Sequence, residues 1–256
     1  MKRSSGVRVC AVAAAGALSL ALVTGCSSGS DKKTDDTKAS GSASAPAAPA
    51  AKKLTKDELQ KLLLAQGDIK GYKVAADKEI VSLSKSKIKV DKPDCEPVAW
   101  ATSALAPGDT DSDARNSVSQ VPEGVDKGDI EAAFDFDVTI VGLSSYDGDG
   151  AEKAMKAVAD GVKACAGGYG VAQDGDASKV SKVVDDKVPA QGDEAIGYTQ
   201  SIGMDEGTAD FHTLVVRKGN TIATFYTANV GALAGGKSAA VEIPAAVVQA
   251  QLAKFK

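Results

Sequence analysis

The chain has little of the chemistry on which most enzymes and nucleic-acid-binding proteins depend. It contains one histidine and four cysteines among 256 residues, and no Gly-x-Ser-x-Gly motif supplies the nucleophile of a serine hydrolase. Its 30 basic residues form no cluster and are outnumbered by 34 acidic ones. This excludes nucleic acid as a partner, because such binding needs a basic surface. No apolar run reaches the roughly 20 residues that a membrane-spanning helix needs.

The first 26 residues have the order of features found in bacterial export signals. A basic start, Met1–Arg3 with Arg8, precedes an alanine-rich apolar run from Val9 to Val23. The next residues, Thr24-Gly25-Cys26, complete a sequence that resembles the lipobox of bacterial lipoproteins. In that class the signal is removed before the cysteine, whose sulfur bears a diacylglycerol. The sequence therefore predicts a signal peptide at 1–25 and lipidation of Cys26.

Two alternatives to the lipobox remain open. One is an uncleaved transmembrane helix, although the apolar run has only about 15 residues. The other is an ordinary signal peptide, which would make Cys26 incidental. Without residues 1–25, which hold three cations and no anion, the formal charge goes from −4 to −7. Such an acidic chain is not attracted to anionic headgroups, so the membrane contact is expected to come from the lipid.

Cysteine use is consistent with export. Cys10 lies in the signal and Cys26 would be acylated, so the mature chain retains Cys95 and Cys165 as its remaining cysteines. An isolated pair in an exported protein predicts a disulfide, and the alternative is two unpaired buried thiols.

The mature chain is predicted to have a flexible tether at 26–53 and one ordered domain at 54–256. After Cys26 the tether contains no large apolar residue, so it cannot bury enough surface to offset the entropy lost on ordering. Order is predicted to begin at Thr55 and Glu58, which have the spacing of a capping box. The roughly 200 residues that follow suit a single domain.

The apolar pattern predicts an α+β domain with a mainly antiparallel sheet flanked by helices. Strands are predicted at 74–83, 88–90, 134–140, 180–184, 195–204, 211–217 and 221–230, and helices at 55–67, 94–105, 151–165 and 244–255. The polar stretch from Ala106 to Asp129 is predicted to be a surface excursion. Asp135, Asp137 and Thr139 alternate with apolar residues, which predicts one wet face for that strand.

No catalytic, cofactor-binding or metal-binding residue is predicted. Asp109, Asp111 and Asp113 have the spacing that opens a calcium loop. Ala114 and Gln120, however, stand where such a loop needs glycine and a bidentate glutamate. Solvated loop charge is the better interpretation.

The single histidine, His212, is not predicted to be catalytic. It is expected on the same strand face as Leu214 and Val216, as a hydrogen-bonded residue at the margin of the core. Both mature cysteines are assigned to the disulfide, which leaves no Cys-His pair for nucleophilic catalysis.

Several features together resemble the extracellular sensor domain of mycobacterial PknH-type Ser/Thr kinases, which also occurs in free actinobacterial lipoproteins. They are Leu59–Leu64, Cys95 before a short helix, Cys165 at a helix end, Gly192–Ala195, the hairpin Val216–Asn220 and Ile243–Val248. The resemblance covers about 54–256 and implies an α+β fold with an antiparallel sheet and a ligand cleft. The chain departs from the family in having cysteines for one disulfide rather than two, and no kinase. The resemblance identifies no ligand contacts.

Three functions fit the sequence. The first is a non-enzymatic binding or sensor-like module, anchored by lipid on the extracytoplasmic face of the cell membrane, with a small-molecule or lipid ligand. It predicts an apolar-lined cleft beside the sheet. The alternative is an envelope lipoprotein that binds another protein. An exported hydrolase built on acids such as Asp135 and Asp137 is the third.

Replacing the acylated sulfur tests the anchor. In Cys26→Ala the lipid has no attachment site, so the protein should move from the membrane fraction to the soluble fraction. Fractionation of intact cells followed by immunoblotting measures this. Cys10→Ala is the matched control and should stay membrane-bound. A Cys26→Ala protein that remains fully in the membrane contradicts the lipobox.

Overall fold

The computed structural model describes residues 52–76, 83–120, 135–204, 207–233 and 241–255. The predicted signal peptide, Cys26 and the tether up to residue 51 lie outside these residues, as does most of the predicted strand at 74–83. No helix in the described part of the chain is both long and apolar enough to cross a lipid bilayer.

The described residues form an α+β domain. Its strands are β1 (Lys73–Ala76), β2 (Ile88–Val90), β3 (Asp113–Ser119), β4 (Asp137–Ser145), β5 (Tyr169–Gln173), β6 (Asp176–Asp186), β7 (Glu194–Met204), β8 (Gly207–Lys218) and β9 (Thr221–Asn229). Its helices are α1 (Lys56–Leu62), α2 (Glu96–Thr102), α3 (Gly150–Ala164), α4 (Val230–Leu233) and α5 (Ala245–Leu252). This confirms the predicted fold class.

All nine strands join one antiparallel sheet in the order β1-β3-β4-β9-β8-β7-β6-β5-β2. The strands at 195–204, 211–217 and 221–230 form the predicted meander, as β7, β8 and β9. Because a β-strand is pleated, alternate residues of each strand point to opposite faces of the sheet. Both faces are covered by helices, so the domain has two apolar cores.

The disulfide face is the side of the sheet that bears Val215 and Ile222, and α2 and α3 pack on it. The cleft face is the opposite side, with Leu214, Val216 and Phe225, and α1 and α5 pack on it. Helix α3 repeats its buried residues at helical spacing, as the sequence predicts, and its buried apolar side chains lie in the core of the disulfide face.

Cys95 and Cys165 form a disulfide in the core of the disulfide face, as predicted. Cys95 precedes α2 and Cys165 follows α3, and both are fully buried. The helices approach closely beside the bridge: a Cβ at Gly161 would lie 2.8 Å from Cγ2 of Val98. The bridge therefore joins two helices that are already in tight contact.

Helix α1 begins with the predicted capping box but ends earlier than predicted. The backbone N–H of Glu58 donates to Oγ1 of Thr55 at 3.3 Å, and the N–H of Thr55 donates to the Glu58 carboxylate at 2.7 Å. The helix ends at Leu62 instead of continuing to Gly67. Fully buried Gln251 of α5 donates to the carbonyl of Leu62 at 2.8 Å, which satisfies a terminal carbonyl from outside the helix.

The predicted surface excursion at 106–129 is wrong in its middle, because 113–119 forms β3 between β1 and β4. Its polar side chains find partners that composition does not reveal: Asn116 donates to the carbonyl of Leu64 at 2.6 Å. The predicted wet face of the next strand is also wrong at Thr139, which is buried and hydrogen-bonds Thr227 at 2.9 Å. Strand β5 was not predicted.

Removing the disulfide should destabilise the domain strongly. For the sequence separation of 70 residues, loop-closure entropy gives a loss of about 4 kcal/mol in the free energy of unfolding for Cys95→Ala/Cys165→Ala. Urea unfolding followed by the fluorescence of Trp100, the single tryptophan, measures the change. The unreduced parent protein is the reference. A loss under about 1 kcal/mol contradicts the assigned role.

Candidate functional site

The described residues form two clefts on the cleft face of the sheet. The larger, here called the His212 cleft, has a volume of about 670 Å³ and lies between β7–β8, the segment 187–191 and the start of α5. Its lining residues are Asp186–Gln191, Gly197, His212–Leu214, Glu242, Ile243, Ala245, Val248 and Gln249. This size and the mixture of apolar walls with a few polar groups are typical of small-molecule sites.

The floor of the His212 cleft depends on a glycine. Gly197 of β7 lies under Val188, so that a Cβ at Gly197 would come within 2.3 Å of Cγ1 of Val188. Val188 and Ile243 are partly buried and pack against the core of the cleft face. The absence of a side chain at Gly197 therefore allows the segment after β6 to lie close to the sheet.

The main polar group of the cleft is a chain of three side chains from three neighbouring strands. Oγ1 of Thr199 lies 2.6 Å from Oδ2 of Asp186 and 2.8 Å from Nδ1 of His212. An ionised carboxylate only accepts hydrogen bonds, so Thr199 donates its single hydroxyl proton to Asp186. Its oxygen must then accept from His212, which assigns a proton to Nδ1 and leaves Nε2 of the neutral ring as an acceptor.

The second cleft has a volume of about 570 Å³ and lies at the end of β4 and β9. Asp135 and Asp137 both accept a hydrogen bond of 3.0 Å from Nδ2 of Asn229, and Pro244 forms part of the wall. The segment from Ile243 to Ala245 therefore borders both clefts. Within the described residues, no group of three or more His, Cys, Asp or Glu side chains is placed to hold a metal ion.

The structure separates the residues that the sequence singled out. Cys95 and Cys165 lie in the core on the opposite side of the sheet from both clefts, and Cys26 is outside the described residues. His212 is on the face of Leu214 and Val216, as expected, with about a quarter of its side chain exposed.

In the acidic run at 109–113, Asp111 forms an ion pair and Asp113 begins β3. Lys53 bridges Asp111 at 2.9 Å and Asp147 at 3.1 Å, and its hydrogen bond holds the pKa of Asp111 below the usual range. Directly after Lys53, the N–H of Leu54 donates to the hydroxyl of Ser145 at 3.0 Å. These contacts attach the start of the domain to the sheet.

Sequence reasoning missed the link from His212 to Asp186 and the role of Gly197. Part of this link could be predicted, because the antiparallel pairing of β7 with β8 places Thr199 opposite His212. The register between β6 and β7 could not be predicted from the sequence, because a β-bulge at Val180 and Lys182 shifts it. The approach of Val188 to Gly197 depends on the path of a loop and has no sequence signal.

Neither a protein-family model nor a curated protein matches the chain. Among solved structures, the extracellular domain of PknH from Mycobacterium tuberculosis is similar, with 16% sequence identity and a TM-score of 0.47, over 80% of this chain and 95% of that one. An uncharacterized protein from Mycobacterium smegmatis is similar with 13% identity and a TM-score of 0.32, over 73% of this chain and 90% of that one. PknH is the kinase type whose sensor domain the order of sequence features resembles.

A methyl group at Gly197 should disturb the cleft. In Gly197→Ala the new Cβ displaces Val188, so we expect a loss of about 1–3 kcal/mol in the free energy of unfolding, as for other overpacked sites. Gly203→Ala is the matched control on the same strand. A Cβ there meets nothing within 4 Å, so its effect should stay within about 0.5 kcal/mol. Urea unfolding compares the two, and equal effects contradict the close packing at Gly197.

Proposed function

We propose that this chain is a non-enzymatic binding module, held on the extracytoplasmic face of the cell membrane by a lipid on Cys26, with its small-molecule ligand in the His212 cleft. The observation that supports this most is the cleft itself, which is open, about 670 Å³ in volume and lined by apolar walls around one chain of polar groups. The domain is not a closed, filled core on this face.

The direction of the hydrogen bonds supports binding rather than catalysis. In a serine hydrolase the imidazole accepts the proton of the hydroxyl that attacks the substrate. Here the hydroxyl of Thr199 donates to Asp186 at 2.6 Å, and His212 donates to Thr199. The imidazole therefore cannot act as the base for this hydroxyl, and the arrangement holds the ring in one orientation.

Two further observations agree with the proposal. The buried disulfide between Cys95 and Cys165 suits an oxidising compartment outside the cytoplasm. Among the described residues, Val184 is the large apolar side chain with substantial exposure, at 37%. One such residue does not make the contiguous apolar patch typical of a protein-binding surface, so the envelope-interaction alternative has less support.

Native mass spectrometry tests the proposal directly. The Cys26→Ala protein, secreted by an actinobacterial host and purified without detergent, should show a reproducible excess mass that is lost on denaturation. Gly197→Ala should reduce the bound fraction, whereas Gly203→Ala should not. A bare mass in every preparation, equal for the three proteins, contradicts a retained ligand in this cleft.

A further inference from the structure

The charged side chains that line the His212 cleft carry more negative than positive charge. The lining of the cleft includes the carboxylates of Asp186 and Glu242, which can only accept hydrogen bonds, and one ammonium group, that of Lys187. Lys187 and Glu242 are both exposed, whereas Asp186 is half-buried, so Asp186 is the charged group that lies most firmly in the cleft wall. Asp186 has a third of its side chain exposed while it binds Thr199, which leaves acceptor capacity on the cleft side.

The imidazole of His212 adds a further acceptor. Its Nδ1 is occupied by the hydrogen bond to Thr199. Nε2 has no partner among the described residues, and the ring lines the cleft with about a quarter of its side chain exposed. In the neutral ring, the nitrogen available to a ligand therefore accepts a hydrogen bond rather than donating one.

Apolar side chains complete the cleft. Val188, Ile243 and Val248 line it and also belong to, or pack against, the core of the cleft face. These groups favour burial of a hydrocarbon body at about 25 cal/mol per Å². The cleft thus combines an acceptor-rich end with an apolar wall.

We infer that the ligand is a primary amine with an apolar body. Its ammonium group donates to Nε2 of His212 beside the carboxylates of Asp186 and Glu242, and its body lies against Val188 and Ile243. This inference rests on the proposed binding function of the cleft. An ammonium can satisfy several acceptors at once, because it has three donors and no acceptor. A carboxylate or phosphate ligand would instead face like charges and a lone pair.

Three probes with the same chain length test the charge requirement. They are octylammonium, octanoate and octanol, each below its aggregation concentration, added to the Cys26→Ala protein at about pH 8, where imidazole is neutral. His212 is the single histidine, so its Hε1 signal in the NMR spectrum is unambiguous. Octylammonium should shift this signal and bind at least about tenfold more tightly than the other two, because charge-assisted hydrogen bonds are the stronger ones.

The same ring reports its own tautomer. A long-range ¹H–¹⁵N spectrum at about pH 8 should show Nδ1 protonated and Nε2 unprotonated, because Thr199 must accept from the ring. A ring protonated on Nε2 would donate to the ligand instead and would overturn the inference.

Two histidine variants separate binding from folding. In His212→Asn the amide ends near the position of Nδ1, so it keeps a donor to Thr199 but removes the acceptor that faces the cleft. In His212→Gln the longer amide retains an acceptor in the cleft. Calorimetry should show that His212→Asn loses the preference for octylammonium by about fivefold or more, while His212→Gln keeps most of it. Unchanged octanol binding confirms that each variant is folded.

Glu242→Gln isolates the effect of charge. It should weaken octylammonium binding by a few fold and leave octanol binding unchanged, since it removes a charge at similar volume. Equal or tighter binding of octanoate or octanol in the parent protein overturns the amine assignment and leaves the cleft as a binding site. No shift at His212 with any probe also contradicts the inference, whereas the retained-mass experiment decides the binding function independently.

Discussion

The pairing of β7 with β8 is the interaction on which the two sides of this domain depend. It runs without a break over eleven residue pairs, from Glu194 with Arg217 to Met204 with Gly207. On the disulfide face, burial raises the pKa of Tyr198, and its protonated hydroxyl donates to the carbonyl of Val98 in α2 at 2.8 Å. The next residue, Thr199, points to the opposite face and holds His212. The strand that carries Thr199 is therefore held in place by contacts on the opposite face of the sheet.

The cleft is built from distant parts of the chain, and Gln251 explains how they are brought together. This buried side chain accepts from the N–H of Leu64 at 3.1 Å and donates to the carbonyl of Leu62, so it fixes α5 against the end of α1. With α5 fixed in this way, the preceding segment, Ile243–Ala245, lies between the two clefts. Burial of an amide without hydrogen-bond partners would destabilise the fold. The two hydrogen bonds of Gln251 therefore couple the position of α5 to the end of α1.

Sequence reasoning succeeded where the determining interactions are local. The capping box at Thr55, the stripe of α3 and the hairpins of the meander each depend on residues a few positions apart. It failed where a distant residue supplies the missing partner: Gln251 binds the end of α1, and the carbonyl of Leu64 accepts from the amide of Asn116 inside β3. The site followed the same rule. The sheet face on which His212 lies was predictable from the alternation of side chains along a strand. Its hydrogen-bonded link to Asp186 was not, because it depends on the bulged register of β6.

The two walls of the His212 cleft differ in how extensively they pair with the sheet. The wall of Asp186, Thr199 and His212 belongs to three strands paired over many residues. The opposite wall is the segment that follows Val241, which meets the sheet through an isolated bridge to Phe211. Polar groups that already have their binding geometry lower the entropy cost of binding a ligand. In the proposed binding mode, the polar end of the ligand is therefore assigned to the sheet wall, and its apolar body to the segment before α5, which is not part of a strand ladder.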